Sequence, residues 1–84
     1  MPVYVDKARN SFKRMIMCHL LADTLEELHS FAKQIGLKRE WFQNGSTPHY
    51  DLSLTKRRWA IKNGAVEIDN QKVVEIIKKY RVNP

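Results

Sequence analysis

The residues of this chain able to move a proton or hold a cation are three histidines, at 19, 29 and 49, and a set of carboxylates led by Asp6, Asp23, Asp51 and Asp69. Histidine titrates near neutral pH and offers two distinct ring nitrogens. His19 interrupts the otherwise apolar run from Met15 to Ala22, with Met17 and Leu21 at the same parity, so its ring needs a partner or a purpose. If the segment His49-Tyr50-Asp51-Leu52 pairs beside that run, His49 or Asp51 comes within reach of His19. A carboxylate bonded to one imidazole nitrogen would then fix its tautomer and favour its charged form. A histidine so held binds phosphate when protonated, or serves as a general acid or base. His29, four residues after Leu25, has a plainer reading as a half-buried imidazole bonded to a neighbour. The histidines are ten and twenty residues apart, which matches no compact metal-ligand spacing, and no Cys/His zinc pattern exists. No metal and no cofactor is assigned on that basis.

The four aspartates fall at the ends of expected strands, where α/β proteins gather ligands. Together they would suit Mg²⁺ and phosphodiester chemistry. Asp23 and Asp69 also precede helical patterns, and a helix cap needs no further function. Arg57 shares the inward arc of its helix with Leu54, Ala60 and Ile61, so a carboxylate should pin it, or it should reach along the sheet edge to an anion. Trp59 lies opposite that arc among Thr55, Lys56 and Lys62. There it would stack on a base, anchor a protein partner, or pack against the terminal helix or the hairpin.

These residues are carried by a readable series of elements. Val3 to Val5 predicts a short strand, Lys7 to Arg14 a basic solvated loop, and Met15 to Ala22 the central strand. Asp23 with Glu26, or Thr24 with Glu27, has the spacing that opens a helix. Leu25, Leu28, Ala32 and Ile35 form its face, and Gly36 ends it. Glu40 to Gln43 and His49 to Leu52 read as a hairpin around the turn residues Asn44-Gly45-Ser46-Thr47-Pro48. Ser53 or Thr55 caps a second helix to Asn63, with Gly64 as its stop. Ala65 to Ile68 is a strand, Asp69 a cap, and Val73, Ile76, Ile77 and Tyr80 the stripe of a terminal helix. The order predicts a single-domain α/β sandwich over residues 1–84, a short mixed sheet of about four to five strands packed with three helices, with at least one parallel pairing.

Composition sets the limits. At 84 residues the chain forms one domain near the small end of what folds alone, which excludes a multidomain enzyme. The single cysteine, Cys18, forms no internal disulfide, and no apolar stretch approaches the roughly 20 residues of a membrane span. The first residues lack the basic-then-apolar pattern of a secretory signal, so a cytoplasmic setting is expected, in a cell or in a cell infected by a virus. The net charge of +6 is uneven: residues 43–84 hold eight cations against four acids. Such a balance attracts polyanions.

At His19-Leu20, Asp23, Glu27-Leu28-His29, Phe31-Ala32, Gly36, His49-Tyr50-Asp51 and Gly64-Ala65, the chain resembles a family of small bacterial and phage proteins designated domain of unknown function 4031. The resemblance covers nearly the whole chain and implies a shared polar site around His19, Asp23, His29, His49, Tyr50 and Asp51. It implies no activity. The basic loop Lys7 to Arg14 and the pair Arg58-Trp59 depart from the family pattern.

The expected function is a non-enzymatic module that binds a phosphate-bearing ligand, nucleic acid or nucleotide, through Lys56, Arg57 and the loop Lys7 to Arg14. The alternatives are a metal-dependent phosphoester hydrolase using His19 or His49 with an aspartate pair, and a phage-type protein that grips another protein through Trp59 and Trp41.

Overall fold

The computed structural model describes residues 3–12, 15–44 and 47–82. In chain order they form β1 (Val3–Val5), β2 (Asn10–Phe12), β3 (Met15–Ala22), α1 (Leu25–Gln34), a 3₁₀ turn (Arg39–Trp41), β4 (Phe42–Asn44), β5 (Pro48–Ser53), α2 (Leu54–Lys62), β6 (Val66–Glu67) and α3 (Asn70–Val82). The expected mixed α/β fold is present. The sheet runs β4-β5-β3-β1-β6 with β3 at its centre, and β2 pairs with the first residues of β3 off this path. All pairings are antiparallel except β1 with β6, the one parallel contact that a helical crossover requires.

Alternation along the strands divides the sheet into two faces. One carries Val3, Val5, Cys18, Leu20, Tyr50 and Leu52, and packs on Leu28, Phe31 and Ala32 of α1 and Ala60 of α2. The other carries Tyr4 and Leu21, which meet Ile76, Val73 and Tyr80 of α3 and Ile68 before it. Fully burying a leucine such as Leu20, Leu28 or Leu52 contributes about 1.5–3 kcal/mol, so the larger of these layers dominates stability.

The helix ends follow local chemistry. Of the two spacings for α1, Thr24 with Glu27 is the one used: Thr24 Oγ1 accepts from the Glu27 N–H at 3.2 Å and donates to its carboxylate at 2.9 Å. Ser53 caps α2, and Asp69 Oδ1 accepts from the Lys72 N–H at the start of α3. α1 and α2 stop in the same way. Gly36 (φ 82°) and Gly64 (φ 106°) turn left-handed, and the next residues, Leu37 and Ala65, bond back to Ala32 and Ala60 while burying their side chains.

Several expectations about the elements need correction. Leu25, expected on the packed face of α1, is exposed. The segment taken as a basic loop contains β2 in its middle, because the start of β3 has an open edge to pair; Lys13 and Arg14 lie outside the described residues. Arg39–Trp41 forms a 3₁₀ turn, so the hairpin begins at Phe42, and Gly45 and Ser46 of its turn lie outside the described residues. Ile61 is exposed, since α2 meets the sheet chiefly through Ala60.

Candidate metal centre

The register of β3 and β5 sets His19 directly opposite Asp51. On β5, His49 and Asp51 are two residues apart and share a face. Asp6, immediately after β1, meets His19 from the other side. Gln43 is paired with His49 across β4 and β5. Four neighbouring strands thus place one row of polar groups on the α3 face.

Within that row, His19 Nε2 lies 3.9 Å and His49 Nε2 3.6 Å from Asp51 Oδ1, and the two imidazoles meet edge to face with centroids 5.0 Å apart. One donor atom of each of His19, His49 and Asp51 lies within 4.8 Å of the others. The far side of each group is tied. His19 Nδ1 is 2.6 Å from Asp6 Oδ2, His49 Nδ1 donates to the Thr47 carbonyl at 2.8 Å, and Asp51 Oδ2 accepts from Gln43 Nε2 at 2.5 Å. The other nitrogen of each ring, Nε2, faces the Asp51 carboxylate. A carboxylate or carbonyl behind a histidine is the usual support of a metal-bound imidazole. Ligands 2.0–2.1 Å from a tetrahedral zinc stand roughly 3.3 Å apart, so an ion would draw the donors together from separations of 3.6 and 3.9 Å to Asp51 and up to 4.8 Å overall.

Electrostatics favour a cation here. Asp6 is buried; burial alone would raise its pKa, but hydrogen bonds from the His19 ring and backbone outweigh it and hold the carboxyl below the usual range. The Asp6 hydrogen bond, opposed by burial and aided by the charges of Asp6 and Asp51, raises His19. Two imidazoles and one carboxylate suit zinc or another borderline metal better than Mg²⁺, which prefers oxygen ligands. Three protein ligands also leave a coordination position free. A cleft of about 170 Å³ opens beside the cluster between the sheet and α3, lined by His19, Leu21, Thr47, His49, Val73 and Ile77.

The sheet separates His29 and Tyr50 from this row. His29 and Tyr50 bond each other at 2.8 Å on the opposite face, beside Phe42. Burial, with Arg39 nearby, lowers the His29 pKa, and burial raises that of Tyr50. The expectation that Tyr50 shares a surface with His19 fails because residue 50 has the opposite parity to 49 and 51. Asp23 accepts from the Tyr4 hydroxyl at 3.0 Å and pairs with Lys79 at 3.3 Å, and Asp69 caps α3. The four aspartates therefore do not converge. Lys56 donates to the Ile35 carbonyl at the end of α1. Arg57 is pinned as expected, by Glu67 at 2.6 Å, and also donates to the Asp6 carbonyl.

Sequence reasoning placed Asp6 at a strand end but not behind His19, and it missed Gln43 and Thr47. Its assignment of no metal rested on linear spacing, in which the cross-strand register that brings His19, His49 and Asp51 together is not visible. The fold and this row define a small α/β protein with a polar His/Asp centre on one face of its sheet. The chain belongs to the family described as protein of unknown function (DUF4031), whose model matches residues 3–80. No curated protein and no solved structure matches it. Among the described residues, no helix is long and apolar enough to cross a membrane.

Proposed function

We propose that this protein is a metal-dependent phosphoester hydrolase in which His19 Nε2, His49 Nε2 and Asp51 Oδ1 hold a zinc-type ion at the mouth of the α3 cleft. The observation that carries this reading is the convergence of three donors whose far atoms are all tied by Asp6, Thr47 and Gln43. A bound ion of this kind lowers the pKa of its water to near 7 and stabilises charge on a phosphoryl oxygen. Held by His19, His49 and Asp51, such an ion would supply an activated water as the nucleophile for hydrolysis of the ester P–O bond, with the alkoxide as leaving group taking its proton from solvent. The phosphoester class is supported by the chain's charge of +6, which draws polyanions toward the molecule.

A cytoplasmic setting in a bacterial or phage-infected cell fits this reading and a single, free, buried cysteine. The test is zinc titration of chelator-stripped protein, followed by turnover of bis(p-nitrophenyl) phosphate. One ion per chain is expected, lost in His49→Ala and Asp51→Asn, with turnover only in the loaded protein. Failure to bind zinc, manganese or cobalt would remove the proposal. Stoichiometric binding without turnover of any phosphoester would replace it with a non-enzymatic module whose ion receives the phosphate.

A further inference from the structure

Both tryptophans of the chain stand at the surface, each beneath a lysine. Trp59 on α2 is 52% exposed, with Lys62 Nζ 5.7 Å from its ring centroid. Trp41, at the end of the 3₁₀ turn after α1, is 47% exposed, with Lys38 Nζ at 5.6 Å. Tryptophan is normally among the most buried residues on average, and a domain this small has few large apolar groups to leave outside its core. Leaving both in water has no rationale in packing.

Their surroundings are cationic. From Leu54 to Lys62, α2 contains Lys56, Arg57, Arg58 and Lys62 and no acid. Lys56 and Arg57 turn inward to Ile35 and Glu67, whereas Arg58 and Lys62 are exposed. A hollow of about 180 Å³ beside the ring is lined by Thr55, Arg58, Trp59 and Lys62. Around Trp41 the exposed cations Lys38 and Arg39 outnumber the one acid, Glu40.

We propose that the Trp59 face of α2 is a docking surface for single-stranded nucleic acid, with an unpaired base stacking on the Trp59 ring, Arg58 and Lys62 meeting phosphates, and Trp41 offering a second, separate ring to the strand. A flat ring with a cation beside it matches both parts of a nucleotide, and stacking needs no particular base. The bases must be unpaired, because a duplex hides their faces. A protein partner fits less well, since lysine is depleted at the cores of protein interfaces. α2 packs on the sheet face opposite the His19 row, so this docking surface is separate from the proposed metal centre and needs no metal.

The test is titration with a labelled oligothymidylate of about ten nucleotides, within the site sizes of such surfaces, and with a duplex of equal length. Chelator is present, and the readouts are anisotropy and tryptophan quenching. Quenching is expected to saturate with the single strand and to be weaker with the duplex. Trp59→Ala and Trp41→Ala should each weaken affinity at least about fivefold, with Trp59→Phe restoring part of the loss. Lys62→Ala should reduce the slope of log affinity against log salt by about 0.7. Absence of binding at low salt, or binding that neither tryptophan substitution alters, overturns the proposal. Concentration-dependent self-association abolished by Trp59→Ala, with no oligonucleotide binding, overturns it too and makes the face a protein interface. Oligonucleotide binding by a protein that takes up no metal would sink the hydrolase reading and leave this surface standing.

Discussion

Asp6 holds His19 at two points: Oδ1 accepts the His19 backbone N–H at 2.9 Å, and Oδ2 meets the ring Nδ1 at 2.6 Å. One carboxylate thereby fixes a strand and the orientation of its side chain together. The Asp6 N–H completes the contact by donating to the His19 carbonyl at 3.2 Å.

Asp6→Asn keeps the size of that side chain but removes the charge that supports the imidazole. Zinc affinity is expected to fall about 10- to 100-fold, the usual cost of losing the partner behind a metal-bound histidine. Competition against a chromogenic chelator measures it, and an unchanged dissociation constant would show that Asp6 is only a strand clamp.

Thr47 is buried, and among the described residues its hydroxyl has no hydrogen-bond partner. Thr47→Val removes the orphan group at almost constant shape, and valine suits the extended backbone expected before Pro48. Stability in urea should rise by about 1 kcal/mol. A fall of that size would mean that the hydroxyl is bonded in solution.

Two tyrosines tie α3 and β1 to the end of β3: Tyr80 donates to the Ala22 carbonyl at 2.6 Å and Tyr4 to Asp23 at 3.0 Å. Burial first, then the charges of Asp23 and Glu27, raises both phenols, with the Asp23 hydrogen bond adding to the shift of Tyr4. A pKa raised on folding means that the unfolded chain loses its protons first. The stabilisation is complete below the unfolded value of 10.0 and is lost as pH rises through the folded values. Urea midpoints should fall steeply above about pH 10 and less steeply in Tyr80→Phe. Parallel profiles for the two proteins would contradict this.

Gly64 has φ 106°, with no atom within 4 Å of where a Cβ would stand, whereas a Cβ on Gly36 would meet Lys56 Nζ at 3.4 Å. Gly64→Ala therefore isolates backbone strain, and a loss of about 1 kcal/mol or more is expected. Gly36→Ala should cost no more, because its φ of 82° lies nearer the left-handed well and its contact is with the flexible end of Lys56. Thermal unfolding of the two variants provides the comparison, and a neutral Gly64→Ala would refute the strain argument.

Local chemistry was legible in the sequence. The Thr24–Glu27 spacing, the two glycine stops, the apolar run of β3 and the stripe of α3 each act over a few residues, so each could be read without knowing what packs against it. The need for a partner at His19 was legible for the same reason, since a polar ring among apolar neighbours must be satisfied. The partner itself was decided by tertiary structure. Asp6 is 13 residues from His19, and Asp51 reaches it only because β5 adds beside β3 in a register that pairs residues 19 and 51. A shift of one residue would turn Asp51 to the α1 face and bring Tyr50 or Leu52 to the centre. The same alternation removed His29 and Tyr50 from the site. Which cations the fold pins was likewise decided in three dimensions. Lys56 and Arg57 differ little from Arg58 and Lys62 in sequence, but the packing of α2 through Ala60 turns the first two onto the Ile35 and Asp6 carbonyls and leaves the other two, with Trp59, in solvent.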